Sequence, residues 1–131
     1  MIAMKYTALV TVAALLFTFV LSGRVGALRA KLGVSAPAMS GQPEFDRAFR
    51  VHMNTIEQLV LFVPLLWLAT NVLGDVNTAG IGVLWIVGRG IYANAYSKSA
   101  DARGPGMIIT ILATATLAVA TLWGIIQGFM A

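Results

Sequence analysis

Residues 43–72 read PEFDRAFRVHMNTIEQLVLFVPLLWLATNV, and this stretch passes from a polar segment directly into a hydrophobic one. Pro43 suits the first position of a helix, and Glu44 and Asp46 place negative charge in the first turn, where the helix dipole favours it. The remainder is uncharged from Gln58 to Gly74. Because a membrane span needs about 20 mostly apolar residues, the stretch predicts a helix that begins in water and continues into a bilayer.

The rest of the chain has the same character. Of its 131 residues, 59% are hydrophobic and only 11% are charged, which is typical of a membrane protein. The uncharged intervals are Tyr6–Gly23, Gln58–Gly74, Val76–Gly88 and Gly104–Ala131. Helix ends and inward-facing polar residues extend the shorter intervals to spanning length, so four transmembrane helices are predicted.

The predicted fold is all-α: an integral membrane four-helix bundle that forms a single domain over residues 1–131. The expected helices are 6–31, 43–72, 77–97 and 105–129. Asn77 or Thr78 is expected to cap the third helix, and Pro105 to begin the fourth. A cleaved signal peptide is the alternative for the first interval, but its removal would leave the other helices without a packing partner.

The basic residues are distributed unevenly, and their positions predict the topology. Five lie between the first two spans and three around the connection between the last two, whereas Lys5 alone lies on the opposite side. By the positive-inside rule both basic connections are cytoplasmic and both termini lie outside the cytoplasm. This arrangement explains the sequence pI near 10.0 without a nucleic-acid partner, and none is expected.

Two side-chain types limit the chemistry. The chain contains no cysteine, so it has no disulfide, no thiolate metal site and no cysteine nucleophile, and any reacting thiol must come from a bound substrate. Its single histidine, His52, stands beside scattered carboxylates in a pattern that is more often structural than metal-binding, so no metal site is expected.

Two polar stripes remain as candidates for a site. At about 100° per residue, Arg47, Arg50, Asn54, Glu57 and Gln58 fall within an arc of about 100° on the second helix. His52 projects elsewhere. Arg89, Tyr92 and Tyr96 form a second stripe on the third helix. Polar residues of this kind sometimes have no role beyond holding helices together, and for Asn54 and Glu57 that alternative stays open. As a group, however, the arginines outnumber the carboxylates, which favours a cleft that attracts a small anion.

The segment PEFDRAFRVHMNTIE resembles the central signature of the membrane-associated proteins in eicosanoid and glutathione metabolism (MAPEG), in which the spacing is R-x-x-x-N-x-x-E. Here that spacing is Arg50, Asn54 and Glu57. The later RGIYANAYSKSADARGPG is similar to the third-helix pattern of the family, with an arginine, two tyrosines four residues apart and a final arginine that opens the fourth helix.

The resemblance implies a homotrimer of four-helix subunits that binds glutathione, as co-substrate, between subunits near the cytoplasmic face. The implied glutathione-binding residues are Arg29, Arg50, His52, Asn54, Glu57, Arg89, Tyr92 and Tyr96. Arg103 matches the arginine that stabilises the reactive thiolate. Gln58 stands where some eicosanoid-forming members have tyrosine, and Ala30 replaces a second arginine. These two departures weigh against leukotriene-type substrate specificity.

The predicted function is therefore that of a glutathione transferase or peroxidase, in a bacterial inner membrane, acting on lipophilic electrophiles or lipid hydroperoxides. Its expected partners are further copies of the chain, membrane lipids and a hydrophobic small molecule. One alternative is a non-catalytic lipid-binding or scaffold member of the same fold. Another is a small four-span exporter, although exporters of that kind have an acidic residue in the first span and Tyr6–Gly23 has none.

Overall fold

The computed structural model describes all residues 1–131, and the chain is all-α, as predicted. Its four long helices are α1 (Lys5–Leu32), α2 (Pro43–Leu73), α3 (Asp75–Lys98) and α4 (Gly104–Met130). A single 3-10 turn at Ala100–Arg103 precedes α4. The four helices run alternately up and down, so the α1–α2 loop (33–42) and the α3–α4 connection (99–103) lie at one end, called here the basic end.

Three of the helical segments are long and apolar enough to cross a membrane: α1, α2, and α4 together with its 3-10 turn. Helix α3, with 24 residues, is long enough to cross a membrane but is not apolar enough to be counted with these three. It carries Arg89 in the middle of its apolar stretch and contains several glycines, which lower its hydropathy. That α3 is a fourth span stays a prediction.

The junction between α2 and α3 differs from the expectation. Gly74, at φ 78°, is the only residue between the two helices, so α3 begins at Asp75 and the expected cap at Asn77 or Thr78 was wrong. The Asn77 side chain instead donates from Nδ2 to the carbonyl of Leu73 (3.0 Å), and Thr78 is buried inside α3. Glycine adopts a positive φ without strain, so the chain turns at this one residue and α3 begins two residues earlier than expected.

The core lies where α2 and α3 pack against α1 and α4. Phe62 and Trp85 stack with their ring centroids 4.1 Å apart, next to the buried Leu66 and Leu117. Helix α2 continues through Pro64 without interruption of its helical assignment. Toward the basic end, a smaller cluster that includes Val51 and Tyr92 fixes α2 against α3. This contact sets the relative position of the two predicted polar stripes.

Candidate functional site

The centre of the candidate site is Arg89, whose side chain is completely buried between α3 and α2. Its Nη2 donates to Asn54 Oδ1 (3.0 Å) and to Thr55 Oγ1 (2.8 Å). The guanidinium carbon also lies 4.0 Å from the centroid of the Tyr92 ring, within cation–π range. The Arg89 Nε and Nη1 atoms have no hydrogen-bond partner in the chain. Since burial of a charge is costly, Arg89 depends strongly on these few contacts.

Asn54 connects this buried charge to the surface of α2. Its Nδ2 donates to Glu57 Oε2 (3.3 Å), so the same amide accepts from Arg89 and donates to Glu57. Arg50 then holds Glu57 through two hydrogen bonds, from Nη1 to Oε1 (3.2 Å) and from Nη2 to Oε2 (3.4 Å). The side chains of Arg50 and Glu57 are 52% and 50% exposed. A continuous chain of polar contacts therefore runs from the bundle interior to its surface.

We call this set the polar network: Arg50, Asn54, Thr55, Glu57 and Arg89. It contains two guanidinium groups and one carboxylate, so its formal charge is +1. The two α3 tyrosines adjoin it: Tyr92 is buried against Arg89, and its ring centroid lies 5.5 Å from that of the partly buried Tyr96. Residues that the sequence placed on two separate helical stripes thus meet in one cluster.

Three other predicted site residues lie apart from both the network and the two tyrosines, and no hydrogen bond joins them to the network. Arg29 donates from Nη1 to the carbonyl of Ala38 (2.7 Å), and its guanidinium lies 4.7 Å from the Phe45 ring centroid. His52 is partly buried on another face of α2 and makes no hydrogen bond. Arg103 is exposed and donates from Nη1 to the carbonyl of Ala100 (2.9 Å).

Two residues of the region are absent from the glutathione-binding set that the family resemblance implies. Thr55 accepts from Arg89 and in turn donates from Oγ1 to the carbonyl of Val51 (2.8 Å). Arg47 belongs to the predicted α2 stripe, but its Nε donates to the backbone carbonyl of Ser97 at the end of α3 (3.1 Å). The signal for Thr55 was its position beside Asn54, because neighbouring residues on a helix differ by only about 100° and both side chains can reach the same residue of α3.

The single chain does not enclose the polar network in a cavity. The five principal cavities are lined by other residues. The one nearest in sequence is an open groove of about 290 Å³ between α2 and α4, with Gln58 and Leu61 on one side and Ile111 on the other. No three His, Cys, Asp or Glu side chains are grouped closely enough to hold a metal ion.

Comparisons with known proteins give a consistent result. The model of the MAPEG family matches residues 7–123. The uncharacterized protein sll1147 of Synechocystis is 38% identical over 121 residues, covering 92% of this chain and 88% of its own length. Human microsomal glutathione S-transferase 2 is 34% identical over 107 residues, covering 82% of this chain and 73% of its own. Mouse leukotriene C4 synthase is 34% identical over 96 residues, covering 73% of this chain and 64% of its own length.

Proposed function

Because the chain belongs to the MAPEG family, we propose that it is a membrane-bound enzyme that activates glutathione as a thiolate and directs it at lipophilic substrates. The thiolate attacks an electrophilic carbon, and a carbon–sulfur bond forms as a leaving group such as halide departs with its electron pair. Alternatively, two glutathione molecules give two electrons to a lipid hydroperoxide: the O–O bond breaks to leave the lipid alcohol and water, and the two thiols become glutathione disulfide. The observation that carries the proposal is the polar network, because Arg50, Asn54 and Glu57 of the family signature meet Arg89 in one set of contacts. Microsomal glutathione S-transferase 2, a relative that covers 82% of the chain, is named for glutathione transfer.

The exposed pair at the surface end of the network suits the charges of glutathione. Glutathione carries two carboxylates and one ammonium group. In the proposed complex Arg50 binds a carboxylate and Glu57 the ammonium, since each is half exposed and has unused hydrogen-bonding capacity. The family resemblance implies that Arg89 binds glutathione directly. Because Arg89 is fully buried in the chain, we propose instead that it holds Asn54 in orientation and does not touch the ligand.

Arg103 is proposed to stabilise the thiolate. A free thiol of pKa about 8.5 is mostly protonated at neutral pH, and each unit of depression requires about 1.4 kcal/mol in favour of the anion. One cation about 4 Å from the sulfur supplies up to about 4 kcal/mol at an effective dielectric of about 20, before desolvation. Because Arg103 makes only one hydrogen bond and is exposed, its guanidinium is free for this role.

We further propose that the enzyme is a homotrimer with glutathione bound between subunits, near the cytoplasmic face of an inner membrane with both termini on the other side. Two observations support a site shared between copies. The Arg50–Glu57 pair is half exposed on the surface of one chain, and Arg103 makes no hydrogen bond or ion pair with it there. Ionic groups of this kind are costly against lipid, so a second copy that covers them and leaves a wet cleft is favoured.

Titration of the purified protein with glutathione by calorimetry, combined with thiolate absorbance and conjugation of a hydrophobic aryl halide, tests the proposal. Wild-type protein should bind glutathione and raise its thiolate fraction. Arg103→Ala should suppress thiolate formation while retaining much of the binding. Arg24→Ala is the matched control, because Arg24 is exposed on α1 and makes no hydrogen bond or ion pair. A wild-type protein that neither binds glutathione nor ionises it contradicts the enzyme proposal.

A second candidate is lipid binding without catalysis, and the groove beside Gln58 favours it. This groove is lined mainly by apolar residues of α2 and α4 and is open to the surroundings of the helices. A lipid acyl chain fits its chemistry. Thermal stabilisation by lipid with no stabilisation by glutathione supports this second candidate, whereas stabilisation by glutathione supports the first.

A further inference from the structure

The contact between Arg47 and the end of α3 has a specific geometry. The last carbonyls of a helix lack intrahelical partners, and α3 ends at Lys98. The carbonyl of Ala95 accepts the N–H of Ser99 (3.0 Å), whereas the carbonyl of Ser97 accepts the Nε–H of Arg47, 50 residues earlier in the chain.

This contact lies at the start of the segment that carries Arg103. After Lys98 the chain becomes extended at Ser99 (φ −153°, ψ 129°), makes the single 3-10 turn Ala100–Arg103 and enters α4. No other hydrogen bond or ion pair joins α2 to Ser97 or to the α3–α4 connection. Arg47 therefore makes the one hydrogen bond between α2, which carries Arg50, and the start of the segment that carries Arg103.

We propose that Arg47 is a positioning residue that holds the α3–α4 connection against α2, so that Arg103 projects at the correct place for the glutathione sulfur. Arg47 acts through the Ser97 carbonyl and does not bind the ligand. This inference rests on the proposed function, because it assigns a role in aligning the thiolate-stabilising arginine. It holds whether Arg103 serves the polar network of its own chain or that of a neighbouring copy.

Direct binding of the ligand by Arg47 is the competing explanation, since Arg47 lies one helical turn before Arg50 on the same stripe. The two explanations use different properties of the side chain. Positioning requires a donor at Nε, whereas binding of an anion requires the positive charge. Glutamine places its amide nitrogen the same number of bonds from Cβ as the arginine Nε, so Arg47→Gln retains the donor and removes the charge. Arg47→Met retains similar length and removes both.

The experiment compares wild type, Arg47→Gln and Arg47→Met in detergent, after thermal unfolding has shown that each is folded. Hydrogen exchange of the backbone amides of residues 97–104 is measured first, without glutathione. Glutathione affinity by calorimetry and thiolate absorbance against pH follow. For Arg47→Met we expect faster exchange in this segment and a thiolate fraction near neutral pH that is about three- to tenfold lower, equivalent to a shift of about half to one pKa unit, with glutathione affinity within about twofold. Arg47→Gln should resemble wild type in all three measurements.

Two results overturn the inference. If Arg47→Gln loses glutathione affinity as Arg47→Met does, the charge of Arg47 binds the ligand. If Arg47→Met leaves exchange and thiolate fraction unchanged, Arg47 positions nothing. Should Arg47→Met not fold, Arg47→Gln against wild type still decides between donor and charge. A wild type that does not bind glutathione contradicts the proposed function, whereas the exchange measurement alone still decides whether Arg47 holds the connection.

Discussion

At the scale of single residues, the polar network depends most on Asn54. One amide accepts from a buried guanidinium and donates to a half-exposed carboxylate, so it fixes Arg89 and Glu57 at once. We expect Asn54→Leu to lower the free energy of unfolding by about 1–3 kcal/mol, because it leaves Arg89 with one fewer partner in a buried position. Thermal or denaturant unfolding in detergent measures this loss. Glutathione affinity should fall as well, because Glu57 loses one of its three hydrogen bonds and keeps only those from Arg50.

Asn71→Leu is the matched control for this prediction. It is the same substitution on the same helix, but Asn71 is exposed and donates only to the carbonyl of Leu68 (3.2 Å). It should leave both stability and glutathione affinity nearly unchanged. Equal losses in the two variants would show that Asn54 has no special role.

Sequence spacing was sufficient to place Arg50, Asn54 and Glu57 on one helical face, because that requires only the pitch of one helix. It was not sufficient to show that Arg89 bonds to Thr55. That contact depends on the rotation of α3 relative to α2, which is set by packing of residues such as Val51 and Tyr92. The isolated positions of Arg29, His52 and Arg103 within one chain depend on tertiary structure in the same way.

At the scale of helices, α3 and α4 are in close backbone contact at Gly106. A Cβ at this position would overlap the backbone of Tyr92 and the carbonyl of Gly88. Since backbone atoms cannot move aside as a flexible side chain can, we expect Gly106→Ala to destabilise the protein by about 1–3 kcal/mol. It should also displace Tyr92 and so weaken glutathione binding. Unfolding in detergent measures the first effect and calorimetry the second.

Gly128→Ala provides the contrast on the same helix. A Cβ there meets no atom within 4 Å, and alanine is the better helix former by about 0.5–1 kcal/mol. This variant should be as stable as wild type or slightly more so. A Gly106→Ala protein with unchanged stability would mean that the helices are not packed as closely as described.

The N-terminus of α1 is capped by a residue of another helix. Met4 provides no side-chain cap, but the Asp75 carboxylate accepts the backbone N–H groups of Tyr6 (3.0 Å) and Thr7 (2.8 Å). Burial by itself raises the pKa of Asp75, but these hydrogen bonds and the charge of Lys5 outweigh it, so the pKa lies below its ordinary value of 3.8. A carboxyl whose pKa is lowered on folding stabilises the fold above its unfolded pKa, and this contribution is lost as pH falls through the folded pKa.

We therefore expect Asp75→Asn to lower the melting temperature near neutral pH, where the carboxylate is charged in wild type. The difference between the two proteins should begin to narrow as the pH falls below 3.8, where Asp75 of the unfolded wild type takes up a proton, and should be lost once the pH passes the lower pKa of the folded carboxyl. Melting temperatures measured in detergent from about pH 7 to pH 3 test this. A difference that stays constant over that range would show that the charge of Asp75 does not act as the cap.

The four helices themselves were predictable, and their observed limits lie within two residues of the expected ones at each end. Long apolar intervals, Pro43 and Pro105 mark them without knowledge of the fold. The cap from Asp75 was not predictable, because its partners Tyr6 and Thr7 are nearly 70 residues away and only the packing of α1 beside the α2–α3 junction brings them together.

At the scale of the whole molecule, the outer surface of one chain combines two features that suit different surroundings. Most of it is apolar, with large exposed side chains along α1 and α4, as expected against lipid. On α2, however, the half-exposed Arg50–Glu57 pair interrupts this surface, and charged groups in a bilayer normally face other protein or water. We therefore propose that one face of the chain meets lipid and that the face with the Arg50–Glu57 pair meets a further copy of the chain, which is the basis of the proposed trimer.

A shared site makes a quantitative prediction for mixed oligomers. If each site takes Arg50 from one copy and Arg103 from its neighbour, then Arg50→Ala and Arg103→Ala subunits should restore each other's activity when co-expressed. With random assembly of equal amounts, about a quarter of the sites in a closed ring receive both arginines, so about a quarter of wild-type activity should return. Each variant alone should be nearly inactive, and so should a mixture of the two that were purified separately and do not exchange subunits. Activity in co-expressed oligomers no higher than in the separate variants would place both arginines of a site on the same chain, and the α3–α4 connection would then have to bring Arg103 to the polar network of its own α2.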